Sequence, residues 1–511
     1  MGRYVIGCDV GSQGLKAIVV DEEGNVRGSA SQSYPLIYPR PTWAEQDVRG
    51  WLRALEEAVP KALAEAGVDG REVVAFGLDG YVDGFVPINE VGEPLRLCFL
   101  WFDRRAVAEC QLVATRITKE ELFRLTGLNL DASHVAAKML WFKRNEPTLF
   151  ERTYKMLMPA SYLVYELTGE LAIDWSNASS TMLLDVSEKR WSERLLHAFE
   201  IDAEFLPPLK DATDVAGGLK PEWAKKLGLT PGIPVVVGSG DEHAACVGSG
   251  VVVPGLVCDV GGTAEPVCGV VHRPEFDETG LVETHCHADP ATWLLENPGF
   301  VSGANLRWFR DNFGSVEVQA ATTLGLDAYD LLTLEASSVP AGSEGLIVLP
   351  CFMGAMTPEW NELARGTVYG LTMGHTRAHL IRAILEASAY GLRDITDRMA
   401  AIGMEIKELR LVSGQARSPL WRQIKANVTG LPVAVPAETE STALGAALFA
   451  LVAAGIYRDL PEAAEHAVHI VERLEPDEKA HREYDRTYAL YRELYDRLRP
   501  VFERGAELLG N

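Results

Sequence analysis

Two aspartates at the ends of apolar segments are placed where proton transfer or metal binding could take place. Asp9 closes the apolar run at residues 4–9, directly before a glycine-rich turn, and Asp241 follows the apolar run at residues 234–238. Because ligands of α/β sheets bind at the carboxyl ends of strands, we expect both carboxylates to face one cleft. For Asp241 a plainer interpretation stays open, namely that it caps the helix that follows it.

Three turns of small residues could hold phosphate oxygens. Tight turns of Gly and Ser expose backbone N–H groups, and the hydroxyls of Ser12 and Thr263 add donors. One such turn alone is often no more than a turn, whereas two that face each other across duplicated domains would form a phosphate clamp. The sequence has no P-loop and no H-R-D or D-F-G motif, so neither of those nucleotide-binding schemes applies. The three turns are Gly11-Ser12-Gln13-Gly14, Gly261-Gly262-Thr263 and Ser413-Gly414-Gln415-Ala416.

A further group follows another predicted strand end. Trp101, Asp103 and Arg105 combine an aromatic face with opposite charges. This mixture suits a polyhydroxylated ligand, and an ordinary helix start explains it about as well.

One short segment has the residue types of a metal site. It contains His285, Cys286, His287 and Asp289, but the sequence has no second cluster at zinc spacing, and we interpret it as an ordinary loop. The eight cysteines form no C-x-x-C pair and lie among apolar neighbours. This pattern indicates reduced, buried thiols.

The predicted elements that position these residues indicate an α/β arrangement. Three apolar runs open the chain as a β-meander, and strands then alternate with helices, which predicts a mixed sheet. Cys258-Asp259-Val260-Gly261 repeats Cys8-Asp9-Val10-Gly11, and each copy leads from an apolar strand into a small-residue turn. Because duplicated domains begin with equivalent strands, the repeat predicts two related halves. A charged helix with a tyrosine packing face is predicted at residues 477–509.

Composition limits the class of protein. The 511 residues carry 48 Lys+Arg and 72 Asp+Glu, for a net charge of −24, which disfavours nucleic acid and anionic lipid as general partners. The length suggests two to four domains. The longest apolar run, at residues 443–456, is shorter than the roughly 18 residues that a membrane span needs, and residues 1–6 lack a signal-peptide pattern. We therefore expect a cytoplasmic enzyme with a small-molecule ligand, and a homodimer is left open.

Longer motifs carry a resemblance to a family. The chain resembles the FGGY carbohydrate kinases through Gly366-x-Val368-x-Gly370-Leu371 followed by His379-Leu380-x-x-Ala383-Ile384-Leu385-Glu386. A second family motif matches around residues 138–145, except that Val135 stands where the family has Pro, Ser or Thr. Asp9-x-Gly11-Ser12 resembles the first phosphate motif of the family, Gly261-Gly262-Thr263 the second, and residues 414–418 the adenosine motif. Within the family, residues 41–47 and 100–105 resemble the sugar-side segments of xylulokinases.

The resemblance implies a fold and a domain plan. Two actin-like, ribonuclease H-like α/β domains with mixed sheets flanked by helices would enclose a cleft. Residues 1–248 would form the sugar-side domain with the catalytic aspartate, and residues 249–455 the adenosine-side domain. Residues 456–511 would form a helical extension packed on the second domain.

The resemblance also implies a reaction, the ATP-dependent phosphorylation of a primary hydroxyl of a small sugar, with a pentulose favoured. Asp241 would accept the hydroxyl proton, and Asp9 would help to hold Mg²⁺. ATP would be held by Gly11, Ser12, Gln13, Lys16, Gly262, Thr263, Gly414, Gln415 and Ser418. The sugar would contact Tyr81, Val82, Asp83, Trp101, Asp103, Arg105 and Glu242.

Two departures from the xylulokinase pattern bear on the substrate. Asp83 stands where those enzymes usually carry His, and Glu242 stands where they carry Asn. The segment at residues 305–310 also resembles autoinducer-2 kinases, which keeps a polyol or a modified linear sugar open. A catalytically silent sugar-binding regulator and an actin-like ATPase are alternatives from other classes.

Overall fold

Two seven-stranded mixed sheets form the framework of this computed structural model, which describes residues 3–438 and 440–509. The strands of the first half are β1 (Tyr4–Val10), β2 (Gly14–Asp21), β3 (Val26–Ser33), β4 (Glu45–Gln46), β5 (Val73–Gly80), β6 (Val86–Ile88), β7 (Cys98–Phe99), β8 (Lys155–Leu157), β9 (Ile173–Asp174), β10 (Leu184–Asp185), β11 (Arg190–Trp191), β12 (Leu209–Lys210), β13 (Val215–Gly218), β14 (Pro234–Val236) and β15 (Ser239–Gly240). The first sheet has the order β13-β14-β5-β1-β2-β3, and β15 also pairs with β5.

The helices of the first half pack on this sheet or on one another. They are α1 (Val48–Ala66), α2 (Val107–Val113), α3 (Lys119–Thr126), α4 (Val135–Asn145), α5 (Pro147–Phe150), α6 (Pro159–Thr168), α7 (Trp175–Ser180), α8 (Glu193–Phe199), α9 (Pro221–Leu227) and α10 (Asp241–Gly248), with 3₁₀ turns at Gly70–Glu72 and Ala203–Phe205. Asp47 caps α1, since its carboxylate accepts from the Arg49 N–H. Thr118 caps α3 by accepting from the Glu121 N–H.

The second half repeats this plan. Its strands are β16 (Leu256–Val260), β17 (Ala264–Val271), β18 (Glu283–Cys286), β19 (Trp293–Val301), β20 (Ile347–Leu349), β21 (Thr367–Tyr369), β22 (Glu408–Val412), β23 (Val433–Pro436) and β24 (Ile470–Leu474). Its helices are α11 (Gly303–Phe313), α12 (Ser315–Leu324), α13 (Ala328–Ala336), α14 (Arg377–Ala401), α15 (Pro419–Thr429), α16 (Ser441–Ala453), α17 (Leu460–Ala467) and α18 (Glu478–Leu509), with 3₁₀ turns at Ser343–Gly345 and Gly414–Arg417. The second sheet has the order β18-β19-β17-β16-β22-β23-β24.

The predicted internal repeat is confirmed by strand pairing. β1 runs antiparallel to β2 and parallel to β5, and β16 runs antiparallel to β17 and parallel to β22. The two copies of Cys-Asp-Val therefore end equivalent strands in the two sheets. Asp9 and Asp259 consequently occupy matching positions.

The late helix α16 crosses the predicted division at residue 248. It packs on β1, β5 and α10 of the first half, and α17 packs on α16. The physical reason is that α16 is apolar on nearly all of its faces, so it needs cover on two sides, which the first sheet and α10 provide. Residues 456–511 were expected to pack on the second domain. Within this segment, α18 packs on α15 and β20 of the second half.

Glycines at the contacts allow this close approach. A Cβ on Gly445 would lie 1.9 Å from the Ala244 carbonyl oxygen, and a Cβ on Gly248 would lie 1.9 Å from that of Ser441. On the sheet side, a Cβ on Gly77 would lie 1.9 Å from the Ala446 carbonyl oxygen. Backbone atoms on both sides leave no room for a methyl group.

Among the described residues, no helix is both long and apolar enough to cross a membrane.

We predict opposite effects for the same substitution in two helices. Gly445→Ala should lower the free energy of unfolding by about 1 to 3 kcal/mol, because the new methyl overlaps the α10 backbone. Gly505→Ala in α18 should raise it by about 0.5 to 1 kcal/mol, because the space around that glycine is open and Ala favours helix. Urea unfolding measures both values. Equal effects of the two substitutions would contradict the close contact between α16 and α10.

Candidate active site

Neighbouring strand ends bring three aspartates together. Asp9 lies opposite Asp79 in the parallel pair β1–β5, and β15, which pairs with the end of β5, leads directly into Asp241. Burial raises the pKa of Asp9 to about 7, and the charge of Asp241 adds to this effect. The expectation that Asp9 and Asp241 share one edge of the sheet is therefore met.

Asp79 is a member of this group that the sequence analysis missed. Its side chain is fully buried, and neither carboxylate oxygen has a hydrogen-bond partner among the described residues. Burial raises its pKa well above the usual range, and Asp9 raises it further. The signal was present, since Asp79 also stands between an apolar strand and a glycine.

Asp241 is the first residue of α10 and does not cap it. Gly240 occupies the N-cap, so the alternative interpretation of Asp241 as a cap is wrong. The Asp241 carboxylate accepts from the Glu242 N–H at 3.0 Å. Burial raises the pKa of Asp241 to about 6, although backbone hydrogen bonds act in the opposite direction. The group is therefore largely ionised at neutral pH and is basic enough to accept a proton.

The duplicated aspartates have diverged in their surroundings. Asp259 is buried, and its carboxylate accepts from the Lys425 ammonium at 2.5 Å, while Lys425 also lies 3.1 Å from Glu265. Asp9 has no such partner, because Lys16 lies 3.4 Å from Glu440 and one Asp9 oxygen is buried without a hydrogen bond among the described residues. The first copy is thus left available for a ligand, and the second is neutralised by the protein.

Two side chains hold the backbone of the first phosphate turn, residues 11–14, through hydrogen bonds to its carbonyl groups. The Gly11 carbonyl accepts from the Tyr34 hydroxyl at 2.5 Å, and the Ser12 carbonyl accepts from the Gln46 amide at 2.8 Å. The side chain of Gln13 is exposed, and Ser12 is partly exposed. Tyr34 and Gln46 position the turn, and neither was identified from the sequence.

The second and third turns are joined to each other. The Gln415 N–H donates to the Gly261 carbonyl at 3.0 Å, and its side-chain amide donates to the Ser302 hydroxyl at 2.8 Å. Gly262 bonds across its own turn to the Ala264 carbonyl at 3.0 Å. Residues 261–264 and 413–416 therefore form one surface, as a shared nucleotide site requires.

The remaining predicted nucleotide residues are placed differently from one another. Thr263 is exposed, and its hydroxyl accepts from Arg307 at 3.0 Å, which adds a cation that the sequence analysis did not assign. Gly414 is exposed. Ser418 caps α15, and its hydroxyl accepts from the Trp421 N–H at 3.3 Å. Ser418 thus serves the helix, and a contact with nucleotide stays a prediction.

Asp103 and Arg105 form a buried support below the sugar-side surface. The Arg105 guanidinium lies 2.7 Å from both Asp103 and Glu45 and stacks 3.8 Å above the Trp43 ring. The Asp103 carboxylate also accepts from the Ala44 N–H at 2.6 Å. Their direct contact with substrate stays a prediction.

The aromatic residues predicted on the sugar side separate into two kinds. Trp101 is 48 % exposed and is free to meet a ligand. Tyr81 is buried, and its hydroxyl donates to Gln46 at 3.3 Å. Val82 is partly buried between Tyr81 and Asp83. Tyr81 therefore supports the turn above it through Gln46.

Asp83 belongs to a buried charge pair next to Asp241. It has a left-handed backbone, with φ of 60°, and its carboxylate lies 3.1 Å from the His134 Nδ1. The Lys138 ammonium donates to the Asp83 carbonyl at 2.8 Å. Burial lowers the pKa of His134, but the Asp83 carboxylate, together with Glu283 and Asp131, outweighs this effect and raises the pKa to about 9. His134 could not be paired with Asp83 from the sequence, because 51 residues separate them.

Glu242 lies in the same acidic region. Burial raises its pKa well above the usual range, and the Glu296 carboxyl adds to the shift, as do Asp241 and Asp83. The structure therefore brings together two predicted sugar-side residues, Asp83 and Glu242, with the predicted base.

Comparisons with known proteins define the class. Residues 4–248 match the N-terminal domain of the FGGY family of carbohydrate kinases, and residues 262–454 match its C-terminal domain. The chain therefore belongs to the FGGY family of carbohydrate kinases. It is a phosphotransferase with the two-domain actin-like fold that the resemblance implied.

Particular relatives cover nearly the whole chain. Xylulose kinase of Escherichia coli is 32% identical over 97% of this chain and 99% of its own length. Gluconokinase of Bacillus subtilis is 29% identical over 100% of this chain and 97% of its own length. The crystal structure of xylulose kinase from Lactobacillus acidophilus superposes with a TM-score of 0.89 at 26% identity and covers 98% of this chain and 99% of its own.

The Asp83–His134 pair predicts how stability depends on pH. His134 holds its proton in the native state up to about pH 9, whereas unfolded His loses it near pH 6.5. Between these values the native state binds more protons, so stability falls as pH rises, by up to about 3 kcal/mol. The contribution is fully present below pH 6.5 and is lost through pH 9.

Urea unfolding of wild type and Asp83→Asn across this range measures the effect. The variant lacks the anion that holds the proton, so its stability should fall less with pH. Asp327→Asn is the control, because Asp327 is an exposed cap of α13 and Asn caps equally well. Equal slopes for all three proteins would exclude the Asp83–His134 linkage.

Proposed function

We propose that this chain transfers the γ-phosphoryl group of ATP to a primary hydroxyl of a small sugar, with a pentulose as the favoured class. The observation that carries the proposal is the position of Asp241. It is a carboxylate with a pKa raised to about 6 at the N-terminus of α10, beside Asp9 and Asp79. The names of the xylulose kinase relatives support the pentulose.

Asp241 acts as the general base in this proposal. It accepts the hydroxyl proton as the sugar oxygen attacks the γ-phosphorus, and ADP leaves with the electron pair of the broken phosphorus–oxygen bond. Such a reaction needs mainly alignment and charge neutralisation from the protein. The position of Asp241 at a helix start, where backbone N–H groups stabilise its anion, keeps it ionised before the sugar binds.

Asp9 has the properties of a residue that coordinates Mg²⁺. One of its oxygens is buried without a hydrogen bond among the described residues, and Mg²⁺ prefers carboxylate and water oxygens. The charge of Asp241, which raises the pKa of Asp9, makes this edge of the sheet favourable for a cation. The ion, when bound, would neutralise phosphate charge.

The two sets of turns would hold the nucleotide. The Gly11-Ser12 turn with Lys16, and the Gly262-Thr263 turn with Arg307, offer hydroxyls and cations to the phosphates. The adenine would lie against residues 414–418 on the joined surface of the second half. Approach of the two domains would exclude water from the transferred group.

A second substrate class is favoured by Asp83. An ionised carboxylate accepts hydrogen bonds and donates none, so a sugar carbonyl beside it would lack a donor and meet a negative charge. A hydroxyl can donate to the same oxygen. A polyol, or a ketose of another configuration, is therefore the alternative to D-xylulose.

We expect Asp241→Asn to lower kcat by ~10² to 10⁴-fold, because Asn keeps the shape and loses the proton affinity. Sugar-dependent ADP release measures the rate, and ATP binding should persist. Asp327→Asn serves as the matched control on the second domain. A kcat near that of wild type would remove Asp241 from the role of base. Turnover that does not need sugar would indicate an ATPase, and no turnover in wild type would indicate a silent binder.

We also expect Asp83 to set the substrate ranking. Wild type should use at least one of D-ribulose, L-ribulose, xylitol, ribitol and erythritol better than D-xylulose, and Asp83→His should shift kcat/KM toward D-xylulose by ~10-fold or more. His tolerates the left-handed backbone at this position. Asp83→Asn removes the charge without adding a ring and separates the two causes. If D-xylulose is the best wild-type substrate, or if the ranking does not move, Asp83 does not select the sugar.

A further inference from the structure

Three buried side chains from three elements converge beside the acidic region. His243 lies on α10, His285 on β18 and Glu296 on β19, and they are 1 %, 5 % and 3 % exposed. One ligand atom from each of them lies within 4.8 Å of the others. Within residues 3–438 and 440–509, this is the one group of three such residues with metal-ligand spacing.

The polar atoms of this cluster have no protein partners among the described residues. Both ring nitrogens of His243 and of His285, and Oε2 of Glu296, make no hydrogen bond. Buried polar groups are nearly always paired, because leaving them unpaired after removal from water costs free energy. Three of these five atoms, one nitrogen of each imidazole and the Glu296 oxygen, would be satisfied by a single missing partner that accepts a lone pair from each side chain.

A cation meets that requirement. The His285 Nε2 lies 3.6 Å from the Glu296 Oε2, and two ligands of a tetrahedral ion lie about 3.4 Å apart when each bond is 2.0 to 2.1 Å. A proton shared between these atoms would need a shorter separation, so the geometry is that of co-ligands more than that of a hydrogen-bonded pair.

Local electrostatics also favours a cation. Asp241, Asp83 and Glu242 all lie close enough to influence one another or Glu296. An unprotonated imidazole presents the lone pair that a metal ion needs, and neither ring nitrogen of His243 or of His285 is paired with a group among the described residues.

His287 is close to the cluster but is not part of it. Its ring lies 6.0 Å from that of His243, and its Nε2 lies 3.1 Å from the Val251 carbonyl, a contact in which the ring can donate. His287 is also buried, so it can serve as a control histidine outside the cluster.

We propose that His243, His285 and Glu296 bind one divalent transition-metal ion of the zinc class. Two imidazoles and one carboxylate are the donors that Zn²⁺ accepts, whereas Mg²⁺ prefers six oxygens. Three protein ligands leave a fourth position for water. The site is separate from the magnesium that accompanies ATP, and it goes beyond the kinase reaction.

The ion would link the two halves of the protein. His243 lies two residues after Asp241 on α10 of the first half, whereas β18 and β19 belong to the sheet of the second half. A metal bond between them would fix the start of α10, and with it the orientation of Asp241.

Metal content tests the proposal without any assay of turnover. Full-length protein is stripped with a chelator and dialysed against Zn²⁺ in the presence of excess Mg²⁺, and bound metal is measured by mass spectrometry. We expect about one Zn²⁺ per chain for wild type. His243→Ala and His285→Ala should lose it, and His287→Ala and the exposed-site control His197→Ala should keep it.

A second readout covers variants that fold poorly. Co²⁺ in a site of low coordination number gives visible absorption bands, and these should be present in wild type and absent in Glu296→Gln, which keeps the side-chain shape. Thermal unfolding of wild type should shift upward with Zn²⁺. Substoichiometric Zn²⁺ in wild type, retention of the ion in both His243→Ala and His285→Ala, or equal loss in His287→Ala would overturn the proposal. None of these results bears on Asp241 as the base, so the proposed function stands or falls separately.

Discussion

The close backbone contact of α16 with α10 and the first sheet is the constraint on which the site depends. Glycines on both sides of the contact set the distance, because any side chain there would overlap a carbonyl oxygen. The contact fixes the start of α10 relative to the ends of β1 and β5. These three points carry Asp241, Asp9 and Asp79. Backbone packing thus holds together carboxylates that repel one another.

Electrostatics then distinguishes two halves that share a topology. The fold alone would give each half an aspartate at the end of its first strand. In the second half Lys425 neutralises this aspartate, and in the first half a second carboxylate, Asp79, stands next to it. A buried carboxylate with a carboxylate neighbour favours a cation, whereas one paired with lysine needs none. The first strand of one half therefore ends in an aspartate without a lysine partner, and the first strand of the other half ends in an aspartate that is already paired with one.

Much of this arrangement could be predicted from the sequence. The strand-then-aspartate pattern identified Asp9 and Asp241, and the repeated tetrapeptide identified the equivalent strands, because both are local signals. The packing of α16 could not be predicted, since the apolar run shows that the helix is buried but not which sheet buries it.

The rest could not be predicted, because it depends on contacts between distant residues. Gln46 and Tyr34 brace the first turn from other segments, and His134 meets Asp83 across 51 positions. Asp103 and Arg105 show a second kind of contact that the sequence did not indicate. Their charges suggested a ligand surface, and in the structure each is also the buried ion-pair partner of the other. Residue type alone does not distinguish a charged side chain that is available to a ligand from one that is already paired within the protein.

The placement of α16 has a consequence for how the chain is made. The first sheet lacks one apolar cover until residues 441–453 have been synthesised, so the amino-terminal half emerges from the ribosome with the face formed by Val5, Ile18 and Ala75 still open. That half cannot complete its core during its own synthesis. Its final closure requires α16, which follows most of the strands of the second sheet in the chain.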